Sequence, residues 1–72
     1  MLTLGEKRVR IDFNATGSSE ITEAKTKAAE LINLVNSVEH TAGDIGEFKR
    51  LQALAMTAIE EASMWHVKLL TL

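Results

Sequence analysis

Between Phe48 and Leu70, apolar residues recur at alternating spacings of three and four: Phe48, Leu51, Ala55, Ala58, Ala62, Trp65, Leu69. This is the rhythm of a helix packed lengthwise against another helix. A second set, Leu54, Met56, Ile59, Met64, Val67 and Leu70, falls outside that stripe. A helix that is apolar around most of its circumference is buried on several sides. In a chain of 72 residues the further sides have to be covered by other copies or by another protein. The pattern therefore predicts an oligomer, with Leu54, Ala58, Met64 and Trp65 among its core or interface positions.

The same period runs earlier through Ile21, Ala24, Ala28, Leu31, Val35 and Val38, with Ile32 and Leu34 widening the stripe. It predicts a first helix over 18–40, opened by Ser18 or Ser19, with Glu20 and Glu23 suited to the positive end of its dipole. Leu31 and Val35 join the predicted core. The link Thr41 to Gly46 carries helix breakers, and Asp44 and Glu47 have capping-box spacing for a second helix over 45–70. A short link between two long amphipathic helices makes them antiparallel neighbours.

Upstream, Val9, Ile11 and Phe13 alternate with Arg8, Arg10 and Asp12. Period two predicts an extended arm or strand. With no second such segment, the arm must lie on the helices or pair with a neighbouring chain. Asn14 to Ser19 reads as a loop of turn-forming and capping residues. The expected fold is all-α: an antiparallel two-helix hairpin with an extended arm and loop over 1–17, forming a single domain over 1–72.

Composition sharpens this picture. A core this small is marginal alone, and the chain has no cysteine, so disulfides and thiolate metal sites are excluded. His40 and His66 are too far apart in sequence to suggest a metal cluster, and no metal or cofactor is expected. Ten acidic against eight basic residues argue against general DNA binding. Yet Lys7, Arg8 and Arg10 cluster near the start, and Lys25 and Lys27 follow in the first helix, so a small anion could find a local home. No apolar run reaches membrane-spanning length, and Met1 to Gly5 is too short for a signal peptide. A soluble cytoplasmic protein is the expectation.

Enzymatic patterns fail in turn. Glu60 and Glu61 point in different directions from a helix, and Glu20 and Glu23 are explained by their place at a helix start. His66 follows Glu61 at a spacing that does not share a face, and no glycine-rich phosphate loop exists. The chain reads as a non-enzyme. One constellation stands out: Phe13, whose ring can stack on a nucleobase, Asn14, whose amide can bond a base edge, and Lys25 and Lys27, which can neutralise phosphate. Each has a plainer reading, Phe13 as a staple of the arm and the lysines as solvated charges.

The run Leu51-Gln52-Ala53-Leu54-Ala55-Met56-Thr57, leading into Ile59-Glu60-Glu61-Ala62-Ser63-Met64-Trp65-His66-Val67-Lys68, resembles the small bacteriophage anti-CBASS cyclic-nucleotide sponges of the second type. Lys25-Thr26-Lys27-Ala28-Ala29-Glu30-Leu31-Ile32 is similar to their first helix, and Phe13-Asn14 to the start of their loop. The two predicted helices that carry these runs make up about two-thirds of the chain. The resemblance implies a compact hexamer in the infected bacterial cytoplasm. It implies that cyclic di- and trinucleotides, cyclic GMP-AMP among them, are held intact in pockets shared between protomers. It further implies that Phe13 stacks on a base with Asn14 beside it, and that Lys25, helped by Lys27, meets the phosphates. Where the family often carries tyrosine, Phe13 keeps the stacking face and lacks the hydroxyl. Against the sponge stand two other readings, a helical protein-interaction module without a nucleotide ligand and a small nucleotide hydrolase.

Overall fold

The computed structural model describes residues 1–72 and is entirely helical, with three helices in chain order: α1 (Leu4–Arg8), α2 (Ser19–Asn36) and α3 (Ile45–Leu70). The long hairpin of α2 and α3 matches the sequence pattern. The extended arm does not form. Its first residues are helical instead, because Thr3 and Glu6 make a capping box: Thr3 Oγ1 accepts from the Glu6 N–H, and Glu6 Oε1 accepts from the Thr3 N–H at 2.8 Å. After α1 the chain turns through Arg10 in the left-handed region, at φ 55°. The turn sends Val9 and Ile11 inward and leaves Phe13 70 % exposed, so their alternation is that of a turn, not of a strand.

The short helix lies on α2 through a close backbone approach. A Cβ placed on Gly5 would come 2.1 Å from the Ala29 carbonyl oxygen. Only a residue without a side chain lets the two backbones meet there. Asn33 secures the contact by accepting from the Gly5 N–H at 2.8 Å and donating to Thr3 Oγ1 at 3.0 Å.

Helix α2 starts at the Ser18 cap, as the sequence predicts, but ends at Asn36 instead of continuing to 40. Ser37 turns its hydroxyl back to donate to the Leu34 carbonyl at 2.8 Å, and Gln52 of α3 donates to the Val35 carbonyl at 2.9 Å. Both add to the bonds that these carbonyls accept from the Ser37 and Val38 N–H groups in the tightened last turn, each at 3.2 Å. Helix α3 occupies the predicted span. Asp44 caps it by accepting from the Gly46 and Glu47 N–H groups, but the reciprocal half of the box is missing. The Glu47 carboxylate is engaged by Arg50 instead.

The core is small: Val9, Ala29, Ile32 and Met56, with Ile11, Ala28, Val35 and Ile59 packed around it. Of the residues predicted for a core or interface, only Val35 reaches it. Leu31, Leu54, Ala58, Met64 and Trp65 are exposed, Trp65 by 59 %. The intramolecular seam of α3 runs along Met56, Ile59 and Ser63, about a quarter to a third of a turn from the heptad stripe. The stripe of Leu51, Ala58, Ala62, Trp65 and Leu69 therefore faces solvent in the single chain. The molecule is a slab of 44 × 26 × 12 Å, one helix diameter thick. Its 5369 Å² of accessible surface exceeds the roughly 4,400 Å² expected for a folded monomer of this mass.

Substituting Gly5→Ala should lower the urea midpoint of the protein. The methyl group would force α1 off α2, at a cost of about 1–3 kcal/mol that outweighs alanine's better helix propensity. An unchanged or raised midpoint would mean that α1 does not dock on Ala29.

Candidate functional site

Where the turn after α1 meets α2 and α3, the surface sinks into a hollow of about 460 Å³, within the range of small-molecule sites. Arg8, Arg10 and Phe13 form one wall, Lys25 of α2 another, and Ser63, Met64 and Val67 of α3 the floor. Lys25 holds the parts together. Its side chain is 5 % exposed, and its Nζ donates to the Arg10 carbonyl at 2.9 Å and to the Phe13 carbonyl. The same ammonium stands 5.5 Å from the centre of the Phe13 ring, close enough for a cation–π contact. Burial, together with the positive charge of Arg10, pushes the Lys25 pKa below the ordinary lysine range.

Arg8 closes the far end. Its Nε pairs with Glu60 Oε1 at 2.8 Å and its Nη2 donates to Thr57 Oγ1 at 3.2 Å, tying the end of α1 to α3. That pair neutralises one arginine and the only carboxylate lining the hollow, leaving Arg10 and Lys25 as an excess of positive charge. An aromatic face beside two cations can stack a planar base and attract a phosphate.

The sequence-predicted residues divide. Phe13 and Lys25 come together. Asn14 lies next to Phe13 in the chain but does not line the hollow. Its amide donates to the Ser18 carbonyl at 2.8 Å and to Thr22 Oγ1 at 3.0 Å, so its side chain locks the loop that leads into α2. Lys27 is on another face of α2. There it borders a shallow groove with Ala24, Ala28, Leu31 and, from α3, Ala62 and His66. Arg8, Arg10 and Met64 also line the hollow, although the sequence pattern placed Met64 in the core or interface. Arg8 and Arg10 were visible as part of a basic cluster, but their placement depends on a turn that the extended reading did not contain. No group of three or more His, Cys, Asp or Glu residues comes together in a metal-binding arrangement, and no helix is long and apolar enough to cross a membrane.

Comparison with known families supplies the decisive observation. The family model described as Acb2/Tad1, hairpin domain, matches residues 6–71, nearly the whole chain. The chain belongs to the Acb2/Tad1 family. No curated protein and no solved structure matches it. The matched region of this family member includes α2, α3 and the turn bearing Arg10 and Phe13, so all the walls of the hollow lie within it. An anti-defence role follows from the family.

The depressed Lys25 pKa has a signed consequence. Between its native value and the ordinary lysine value, the unfolded chain binds more protons than the folded one, so stability rises with pH in that window. Denaturant titrations at a series of alkaline pH values and fixed protein concentration should show this rise in the wild type. The chain has no tyrosine to obscure it. Lys25→Met should lose the rise, and a variant that keeps it would place the effect on another group.

Proposed function

We propose that this Acb2/Tad1 protein binds cyclic di- or trinucleotide second messengers, cyclic GMP-AMP among them, and sequesters them chemically intact in the host cytoplasm, so that CBASS effectors are not activated. The observation that carries this reading is the exposed Phe13 ring standing 5.5 Å from the buried ammonium of Lys25 in one hollow. The ring offers a base-stacking face, and the ammonium has one of its three N–H donors left after serving two carbonyls.

A single chain supplies too little. Competing with an effector calls for nanomolar affinity, about −12 kcal/mol. Stacking contributes roughly 1–3 kcal/mol per base. The hollow is open on one side, and a second copy closing over it would bring a second ring and a second pair of cations by symmetry. The apolar surface left bare along Leu31, Leu51, Leu54, Trp65 and Leu69 is the means of assembly. Burying it between copies gives a closed homo-oligomer, a hexamer in this proposal, with ligands held at the seams. The protein acts without catalysis, using no metal or other cofactor.

A second reading keeps the bare apolar face and discards the hollow: an adaptor that uses the face to hold an unrelated protein. Calorimetric titration with cyclic GMP-AMP and a panel of related cyclic di- and trinucleotides separates the two. The sponge binds at least one of them well below micromolar concentration, while an adaptor binds none. Heating the complex should release the nucleotide unchanged; linear products would establish a hydrolase. Phe13→Ala should weaken binding by roughly fivefold to a hundredfold, the range for one lost stacking contact, and leave the oligomer intact. Trp65→Ala should do the reverse. The exposed indole contributes little to the hairpin, so the variant should fold as the wild type does and dissociate at lower dilution in sedimentation experiments. Equal loss of assembly in both variants would contradict this division.

A further inference from the structure

Arg10 occupies a position that its backbone disfavours. At φ 55° a side chain is strained, and glycine or asparagine is the usual occupant. Its carbonyl is already committed, accepting from Lys25 Nζ and from the Phe13 N–H, each at 2.9 Å. Its guanidinium is not committed. Arg8 pairs with Glu60 and Arg50 with Glu47, while Arg10 enters no ion pair and its side chain donates no hydrogen bond within the chain. It borders both the Lys25 hollow and a shallower one on the other side of Phe13. Asp12 lines that shallower hollow without reaching ion-pair distance. An uncommitted guanidinium thus borders the same hollow as the Phe13 ring and an ammonium with one donor to spare.

We propose that Arg10 is a phosphodiester-gripping residue of the hollow, its guanidinium taking two phosphate oxygens of a bound cyclic dinucleotide while Phe13 stacks on the base. This rests on the proposed function and adds a residue to it. A guanidinium binds phosphate through two parallel N–H donors, which an ammonium cannot do. Strain at the turn is then tolerated because it presents the fork to the ligand.

The test uses Arg10→Gly, which suits the positive φ and keeps the carbonyl that Lys25 requires, together with Arg10→Lys. Cyclic GMP-AMP is titrated into wild type and both variants at low and high salt, and each protein is melted without ligand. The expected result for Arg10→Gly is binding weakened by roughly tenfold or more, with a shallower salt dependence and a melting temperature no lower than wild type. Arg10→Lys should fall between the two. Arg10→Gly binding within about twofold of a tightly binding wild type overturns the role of Arg10 alone. Full affinity in Arg10→Lys overturns the fork. Weakened binding accompanied by earlier melting also overturns the proposal, since a damaged turn then suffices. A wild type that binds no cyclic nucleotide removes the proposed function as well.

Discussion

One buried ammonium joins the fold of this protein to its candidate site. Lys25 projects from α2 beneath the turn that follows α1 and gives two hydrogen bonds to carbonyls of that turn. Those bonds fix the backbone at Arg10 and Phe13, and with it the place of the exposed ring. Burying a lysine this deeply is costly unless its charge is met by oriented dipoles. Two carbonyls accept from it, while burial and the neighbouring Arg10 charge push its pKa down. The remaining electrostatic deficit is what an incoming anion can relieve. The residue that secures the N-terminal turn is thus also one that lines the hollow.

A second constraint is thickness. A slab 12 Å deep has almost no interior. Two covers are possible for the hairpin, one on each side. α1 supplies the first, lying on Ala29 and Asn33 and placing Val9 against Ile32 and Met56. The other side has no cover within the chain, and there the alanines and leucines of both helices lie open. Size and shape therefore agree with the hydrophobic pattern in leaving apolar surface bare on the single chain.

The hairpin was legible because its signals are long and repeated. Helix α3 has a heptad stripe bounded by Asp44, whose carboxylate caps the first turn as its spacing suggests. Which face of α3 turns inward was not legible. Two apolar stripes were available, and the buried one is interrupted by Gln52 and Ser63, which lowered its apparent hydrophobicity. On α2, the buried Lys25 disguised the seam in the same way. Helix α1 escaped notice because five residues hold too little periodicity, although Thr3 and Glu6 carry the capping-box spacing. At the site, Phe13 and Lys25 were recognisable by residue type. Asn14 hydrogen-bonds within the loop, and Arg10 could not be placed, because a positive φ leaves no trace in a pattern of polar and apolar residues.

The claim at the centre is that the bare face and the charged hollow belong to one device, copies closing on each other and holding messenger at their seams. Native mass spectrometry of the purified protein, mixed with an equimolar pool of cyclic di- and trinucleotides, tests both halves in one spectrum. The expected spectrum shows a single homo-oligomer carrying a whole number of intact cyclic nucleotides selected from the pool. A folded single chain with no nucleotide attached, at the same protein concentration, would contradict it.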